Sequence, residues 1–385
     1  MCGIIAVLRR PVERTDLPAE PLVGALERGV HALRRAIDDA GTSGPAIDAL
    51  AAVAADLEQV AAHLHGPRGV RLLLVDAAAS SRIRGLANTL GRSVADLDAA
   101  LDRLVVDADT EARNAAAVRV RDAAWTIERD RLRTADGVAT LVGRDTGWSA
   151  VEACTQIEQS LSAIDRLEVR GRDSAGVMVL VRGHGLDPSD PAVAGLLDGR
   201  ADDPLLRSRA VRLVDGPDGP ASQLAFAYKA AAEIGELGDN TAALRADIVG
   251  DELLHLALAG PAAQAVVLGH TRWASVGIIS EANAHPLDSL EHEQIEVGPF
   301  VAAALNGDVD NFADLKSANG LSIHAEVTTD AKVIPALVSR RVAAGDDPLE
   351  AFRATVASFE GSVAIAATVA GRPEAMALAL RGSGQ

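Results

Sequence analysis

The chain opens with Met1-Cys2-Gly3-Ile4-Ile5-Ala6-Val7-Leu8, in which a thiol is followed at once by a continuous apolar run. The run from Gly3 to Leu8 is rich in β-branched residues, which predicts a strand buried on both faces. Removal of Met1 would give Cys2 a free α-amine beside its thiol. An α-amine with a pKa of ~7.7–8.0 can take and return a proton at neutral pH, so Cys2 could then supply both nucleophile and base. Taken alone, a cysteine after Met is usually an ordinary buried strand residue or a chance occurrence.

Composition limits the class of protein. The chain has 385 residues and 48% hydrophobic composition, enough for a sizeable core in one large domain or two smaller ones. A formal charge of −17 disfavours a nucleic-acid or anionic-membrane surface. Two cysteines, Cys2 and Cys154, are too few for a disulfide framework, and no leader-like segment precedes the first strand. We therefore expect a soluble cytoplasmic protein without a membrane span.

A helical segment of about residues 11–150 interrupts the strand pattern. Its apolar residues recur at spacings of three and four, as amphipathic helices require. We interpret Gly66 to Gly69 as a helix breaker, and Ser93 with Asp96 as the start of a further helix. Another helix is predicted from about Val151 to Leu167. No phosphate loop or metal-ligand cluster occurs there, so we assign the segment no chemistry.

Strand patterns return after this segment. Gly176 to Val181 is a predicted strand, and the Gly, Pro and Asp-rich stretch from Gly183 to Pro220 is predicted to be mostly loop. Later predicted strands are Ala265–Gly269, Phe300–Leu305, Ser362–Val369 and Glu374–Leu380. Predicted helices run from about Asp330 to Ala344 and from Pro348 to Phe359.

Four short segments carry polar residues that a purely structural pattern would not require. They are Arg170–Gly176, Gly269–Ser275 with Asn283–Pro286, Leu305-Asn306-Gly307 and Thr328-Thr329-Asp330. Each alone has an ordinary explanation as a turn or a helix cap. Together with Cys2, their order resembles the class II glutamine amidotransferase domain, an N-terminal-nucleophile hydrolase. His-Thr-Arg-Trp-Ala followed by Asn-Ala-His-Pro is most similar to the glutamine:fructose-6-phosphate aminotransferases rather than to the phosphoribosyl-pyrophosphate amidotransferases.

The resemblance covers residues 2–8, about 151–182 and about 224–385. It implies an α+β fold, the four-layer αββα sandwich, here with the helical segment as a large insertion. It also implies that Cys2 attacks the side-chain amide of glutamine. The Asn306 side chain and the Gly307 amide would then stabilise the oxyanion, and water would hydrolyse the thioester to glutamate.

The same resemblance assigns the substrate contacts. Arg272 and Asp330 match the positions that hold the α-carboxylate and the α-ammonium of glutamine. Trp273 corresponds to a ring on a mobile loop that excludes water. Supporting roles are implied for three further residues, which are Arg170, Asp173 and His285. The family requires no cofactor and no metal for glutamine hydrolysis.

The sequence departs from the family at several points. Val276 and Leu305 stand where histidines are usual, so we expect altered loop behaviour with hydrolysis retained. The sequence ends at Arg381-Gly-Ser-Gly-Gln385 without sugar-isomerase domains, so we expect a C-terminally incomplete domain, either a fragment or a truncated product. The insertion is expected to serve as a homo-oligomer or partner contact.

Three functional hypotheses remain open from the sequence. The first is the glutaminase part of a glutamine:fructose-6-phosphate aminotransferase, with fructose 6-phosphate reached only through the absent domains and ammonia destined for glucosamine 6-phosphate. The second is an amidotransferase that supplies another acceptor, such as a phosphoribosyl donor or a 2-oxo acid. The third is a non-catalytic scaffold that presents the helical insertion to partners.

Overall fold

The computed structural model describes residues 2–9, 13–40, 44–216, 218–231, 236–292, 298–370, 372 and 375–382. It divides into two compact units, one of Met1–Pro11 with Glu152–Gln385 and one of Val12–Val151. Met1, and Glu374 at the start of the last predicted strand, lie outside the described residues. Each unit is described by itself.

The first unit contains a five-stranded antiparallel sheet with the strand order β1-β5-β2-β4-β3. Its strands are β1 (Gly3–Val7), β2 (Ser174–Arg182), β3 (Val211–Gly216), β4 (Gly219–Ala230) and β5 (Gln264–Arg272). Strand β1 pairs with β5 from Gly3 opposite Thr271 to Val7 opposite Val267. Because β5 also pairs with β2, the segment that follows Cys2 is joined directly to the strand that ends at Arg272.

The prediction that β1 is buried on both faces is wrong. Gly3 is buried, but Ile4 and Ile5 are only partly buried, and Ala6 is exposed. The reason is that β1 forms the edge of its sheet, a position that the apolar run alone does not reveal.

A second antiparallel sheet has four strands in the order β6-β7-β8-β9. They are β6 (Leu287–Asp288), β7 (Val301–Gly307), β8 (Val363–Val369) and β9 (Ala377–Arg381). Strand β7 pairs with β8 over its whole length but with β6 at only two positions, Ala303 opposite Leu287 and Ala302 opposite Asp288. The Asn306-Gly307 end of β7 therefore extends beyond β6.

Apolar side chains of the two sheets form shared clusters. One joins Met178, Ala227 and Val266 of the first sheet to Phe300 and Ala302 at the start of β7. Another joins Leu268 of β5 to Ala304 of β7 and Ala366 of β8. The unit is thus an α+β structure in which two antiparallel sheets contact each other through apolar faces, as the fold prediction expects at this coarser level.

Helices adjoin both sheets within this unit. They are α7 (Trp148–Leu167), α8 (Pro191–Leu197), α9 (Asp239–Val249), α10 (Glu252–Ala259), α11 (Phe312–Ala318), α12 (Val333–Ala343) and α13 (Pro348–Ala357). Helix α7 lies so close to the first sheet that a Cβ at Gly3 would stand 2.6 Å from Leu167. Helices α12 and α13 share a core cluster with β7 and β8. The stretch from Gly183 to Pro220, predicted to be mostly loop, contains α8, β3 and the start of β4 between its loops, and β3 is ordered by its pairing with β4.

The second unit is helical. Its helices are α1 (Ala19–Asp38), α2 (Ile47–His63), α3 (Gly66–Val75), α4 (Ala77–Leu101), α5 (Thr110–Trp125) and α6 (Arg133–Val142), with a π-helical segment Thr126–Leu132 between α5 and α6. The apolar residues at spacings of three and four, such as Leu26, Leu33, Leu50 and Leu57, form a core of their own. The amphipathic helices read from the sequence are present.

The helix break predicted at Gly66 to Gly69 is present, since α2 ends at His63 and α3 begins at Gly66. Pro67 occupies the first turn of α3, where its missing N–H is harmless. Another local prediction in this unit is wrong. Ser93 does not start a helix but lies inside α4, where its hydroxyl donates to the Thr89 carbonyl. None of the helices in the described part of the chain combines the length and the apolarity that crossing a bilayer requires.

Candidate active site

Cys2 lies between the ends of β5 and β7. The Trp273 backbone N–H donates to the Cys2 sulfur at 3.2 Å, and the Cys2 backbone N–H donates to Asn306 Oδ1 at 3.3 Å. The neighbouring Gly3 N–H donates to the Thr271 hydroxyl at 3.1 Å. Residues nearly three hundred positions apart in sequence are therefore brought together, among them three of the predicted site residues.

The environment of the Cys2 thiol has opposing effects on its acidity. Burial raises its pKa, whereas the Trp273 N–H and the charge of Arg272 lower it, and the net direction is upward. The carboxylate of Asp308 adds to the rise. The thiol therefore depends on a proton acceptor for reactivity at neutral pH, and an α-amine on the same residue could be that acceptor.

Asn306 and Gly307 end β7 where β6 no longer covers it. Since Asn306 Oδ1 accepts from Cys2, its Nδ2 donor group occupies the other arm of the amide. Gly307 has a φ of 112°, and a Cβ at this position would stand 1.9 Å from the Ser362 carbonyl oxygen. Only glycine fits this backbone conformation and this close approach.

Arg272 is 3% exposed, and its guanidinium holds the loop that follows it. It donates to the carbonyl oxygens of Val276 and Gly277, and to that of Ile278 at 3.1 Å. Burial lowers its pKa, while the charges of Cys2, Asp330 and Asp173 oppose this shift. The Val276 carbonyl therefore accepts one of the bonds that hold the loop, and this bond does not depend on the Val276 side chain.

The same loop is fastened at two further points. The Ser275 hydroxyl donates to the Asp308 carboxylate at 2.6 Å, and the Ile278 N–H donates to the Thr328 hydroxyl at 3.1 Å. Trp273 itself is 56% exposed, so its backbone, and not its ring, makes the contact with Cys2.

Asp330 is buried at the start of the 3-10 turn Asp330–Lys332. Its Oδ2 accepts from the Val309 N–H at 2.7 Å, and its Oδ1 accepts from the Thr329 hydroxyl at 3.3 Å. Burial, with Asp308 nearby, raises its pKa. A cationic group of a ligand beside this carboxylate would lower that pKa again, as the predicted contact with an α-ammonium requires.

Asn283 fixes the turn that carries Asp330. Its Oδ1 accepts from the N–H groups of Thr328 and Thr329, at 2.7 and 3.0 Å, and its Nδ2 donates to the Glu326 carbonyl. The sequence motif contained Asn283, but its role was not predicted, because its contacts are long-range bonds to the backbone.

The three predicted supporting residues differ in position. Asp173 accepts from the Ala274 N–H at 2.8 Å, and its own N–H donates to the Arg272 carbonyl, so it contacts the loop beside Cys2. Arg170 is exposed, and no side-chain bond within the described ranges joins it to β1. His285 is 4% exposed and lies beside a histidine that the predictions omitted, His270, with ring centroids 4.5 Å apart.

In the part of the chain that the structure describes, no three His, Cys, Asp or Glu side chains form a group that could hold a metal ion.

Comparison with known proteins gives relatives by sequence and neighbours by structure. No family model matches the chain. Over 107 residues it is 35% identical to the glutamine–fructose-6-phosphate aminotransferase of Sulfurisphaera tokodaii, covering 28% of this chain and 17% of the relative. It is 36% identical over 117 residues to that of Caulobacter vibrioides, covering 30% and 18%. It is 30% identical over 225 residues to that of Acidithiobacillus ferridurans, covering 58% and 26%.

The chain thus spans about a quarter or less of the length of these relatives. Solved structures matched include an allosteric regulatory enzyme of purine biosynthesis, at 20% identity and a TM-score of 0.30, covering 54% of this chain and 38% of that one. Another is the glutamine phosphoribosylpyrophosphate amidotransferase from B. subtilis with ADP and GMP, with the same identity and coverage and a TM-score of 0.29. The sequence relatives confirm the predicted resemblance to class II glutamine amidotransferases close to glutamine–fructose-6-phosphate aminotransferase.

Proposed function

We propose that this chain hydrolyses L-glutamine to glutamate and ammonia through Cys2, as the glutaminase part of a glutamine–fructose-6-phosphate aminotransferase. The proposal is carried by the contact of Cys2 with two other predicted site residues. The Trp273 N–H donates to the Cys2 sulfur, and the Cys2 backbone N–H donates to Asn306 Oδ1. The three relatives described above carry the name glutamine–fructose-6-phosphate aminotransferase, which gives further support.

The proposed chemistry begins with loss of Met1. The α-amine of Cys2 takes the thiol proton, and the thiolate attacks the side-chain amide carbon of glutamine. The oxyanion receives hydrogen bonds from Asn306 Nδ2 and from the Gly307 N–H. The carbon–nitrogen bond then breaks, and ammonia leaves with the proton that the α-amine returns. Water hydrolyses the thioester, which releases glutamate and restores the thiol.

Substrate selection is assigned to two buried charges of opposite sign. Arg272 would bind the α-carboxylate with donors beyond those that hold the loop carbonyls, and Asp330 would bind the α-ammonium. Trp273 would cover the site from its exposed position on the loop. The bonds that Ser275 and Ile278 make hold this loop in place, and a loop held in this way limits the access of bulk water to Cys2 while the thiolate attacks the amide.

For the fold, we propose the four-layer αββα sandwich of N-terminal-nucleophile hydrolases. It is supported by the apolar clusters between the two sheets and by α7 against the first sheet and α12 against the second. Residues 11–150 would be an insertion in it. We further propose a cytoplasmic location and an ammonia acceptor bound by other domains, fructose 6-phosphate in the first place, so that ammonia enters glucosamine 6-phosphate.

The test is covalent labelling with a glutamine-like diazoketone, followed by intact-mass measurement and a glutaminase assay. We expect Met1 to be absent, one label per chain, and glutamine turnover. Cys2→Ala should lose both label and turnover, while the matched control Cys154→Ala, at the buried second cysteine, should keep both. Turnover by Cys2→Ala equal to that of the parent would contradict the mechanism, and a folded parent without label or turnover would favour the scaffold hypothesis.

A further inference from the structure

One edge of β7 carries a row of backbone groups that β6 covers only in part. The Ala370 N–H donates to the Phe300 carbonyl at 2.8 Å and the Asp308 N–H donates to Ser362 at 3.0 Å, so even-numbered residues of this strand bond toward β8. In an antiparallel ladder, the odd-numbered residues then point their N–H and C=O groups to the opposite side. That side belongs to β6, which reaches Ala303 opposite Leu287 and no further.

Leu305 is the next residue in this row, beyond the end of β6. Two histidine side chains, instead of a paired strand, bind its backbone N–H and C=O groups. The His270 ring donates from Nε2 to the Leu305 carbonyl at 2.8 Å. The Leu305 N–H donates to His285 Nδ1 at 3.4 Å. Because a carbonyl only accepts and an N–H only donates, these bonds fix the tautomers, with the proton on Nε2 in His270 and on Nε2 in His285.

The row continues to Gly307. Its N–H belongs to the peptide group that follows the Leu305 carbonyl held by His270, and the alternation of the ladder directs this N–H to the same open side of β7. The orientation of the peptide groups on both sides of Leu305 therefore determines where the Gly307 N–H and the Asn306 side chain point.

We propose that His270 and His285 are positioning residues that clamp the Leu305 peptide groups and so hold Asn306 and the Gly307 N–H in the geometry that stabilises the oxyanion. This inference rests on the proposed glutaminase function. It gives a role to His270, for which the sequence predicted none, and a specific role to His285, which was predicted only to be a supporting residue.

Two further observations agree with this role. Both rings are buried, and burial lowers the pKa of His270 to about 3 and that of His285 well below its ordinary value, so both stay neutral, as the acceptor role of His285 Nδ1 requires. In addition, His285 Nε2 lies 3.3 Å from the Thr329 hydroxyl, which donates to Asp330. The same histidine thus joins the oxyanion strand to the proposed α-ammonium contact.

The test compares His270→Leu, which removes the donor, with His270→Gln, whose amide N–H can reach the same carbonyl. Each variant of the full chain is titrated with the diazoketone, and kcat is expressed per labelled site, so that unfolded protein does not count. Removal of the donor should lower kcat by about tenfold to a hundredfold with little change in KM for glutamine, since misplaced groups mainly affect the transition state. His270→Gln should restore most of kcat.

The matched control is Ser339→Ala. Ser339 donates a hydrogen bond to the Pro299 carbonyl at 2.8 Å, just before the start of β7 and at the opposite end of that strand from Asn306 and Gly307. This variant should leave kcat per site unchanged. If His270→Leu does not fold, the pair His285→Leu and His285→Asn gives the same comparison, because the Asn carbonyl can replace the Nδ1 acceptor.

Equal kcat per site in the Leu and Gln variants, or an effect confined to KM, would overturn the inference. These outcomes differ from failure of the proposed function, in which the parent protein itself lacks Cys2-dependent turnover. The inference falls in that case too, since no oxyanion would then need to be held.

Discussion

At the residue scale, Asn306 has two tasks that can be separated. Its Oδ1 accepts from the Cys2 N–H, and its Nδ2 is the proposed oxyanion donor. Asn306→Ala should reduce kcat for glutamine hydrolysis by about a hundredfold to a thousandfold, as loss of one oxyanion donor typically does, with a smaller effect on KM. Steady-state kinetics measure this. Asn311→Ala, at the nearby asparagine that bonds Ser358 and Glu360 backbone groups, is the control and should keep kcat. Similar kcat in both variants would contradict the assignment.

Lys229 is a residue whose effect should appear in stability. It is 2% exposed, its Nζ has no hydrogen-bond partner in the described structure, and burial lowers its pKa from 10.5 to about 7. The charges of Lys332 and Arg212 lower this pKa further, and that of Asp288 opposes them. Between pH 7 and 10.5 the unfolded chain therefore binds more protons than the folded one at this site, so the free energy of unfolding should rise with pH over that window.

Replacement of Lys229 by methionine removes the free-energy cost of burying its charged amine. Lys229→Met should increase the free energy of unfolding at pH 6 by on the order of 3–5 kcal/mol and abolish the rise above pH 7, given about 1.4 kcal/mol per pKa unit. Urea unfolding at pH 6 and pH 9.5 measures both effects. Lys316→Met, on the partly exposed α11, serves as control and should retain the parent's pH dependence. A variant no more stable than the parent at pH 6 would show that Lys229 is solvated or paired in solution.

The sequence could suggest candidate site residues where the proposed chemistry requires a particular type of side chain. A nucleophile, an amide donor and a pair of opposite charges each have such a requirement, and the family resemblance therefore suggested Cys2, Asn306, Arg272 and Asp330 as candidates. The roles of residues that bind backbone groups were not predicted, because such a role leaves no pattern in the neighbouring sequence. His270 is the clearest example, since its partner Leu305 lies in another strand of another sheet.

At the element scale, the end of β7 depends on glycine. Gly307→Ala would place a Cβ 1.9 Å from the Ser362 carbonyl oxygen in a residue with φ of 112°. We expect the free energy of unfolding to fall by more than about 1 kcal/mol, since both the conformation and the contact are incompatible with a side chain. Urea unfolding of this variant is compared with that of Gly195→Ala in α8, where a Cβ meets nothing within 4 Å. The α8 change should be neutral or stabilising by up to about 1 kcal/mol. Equal loss in both would argue against the close approach.

Elements were predicted where a single run of residues is buried on both faces. Strands β2, β5, β7 and β8 have this character and matched the apolar runs closely. Strand β4 was missed because its first four residues, Gly-Pro-Ala-Ser, have loop-like composition, and its place in the sheet comes from pairing with β2 and β3. The edge position of β1 and the interior position of Ser93 in α4 are likewise set by neighbours that the local sequence does not specify.

At the scale of the whole molecule, the division into two units offers a test of the insertion hypothesis. Residues 12–151 have a core of their own, and the first unit has others that do not include them. Within the first unit, Arg9 Nη2 donates to Gln159 Oε1 at 3.3 Å, and the Glu152 carboxylate acts on the same guanidinium. Arg9 and Glu152, which flank the helical segment in the sequence, therefore lie near each other.

We predict that replacing residues 12–151 by a flexible Gly-Ser linker of about eight residues, which spans roughly 15 Å on average, leaves the glutaminase site intact. The shortened chain should take up one diazoketone label at Cys2 and keep kcat near that of the full chain, because every proposed site residue lies in the first unit. Calorimetry should show that the thermal transition of the helical unit disappears while the other remains, as independent cores allow. A shortened chain that shows the thermal transition of the first unit but takes up no label would contradict this prediction. In that case the helical segment would help to form the glutaminase site and would be more than an insertion with its own binding surface.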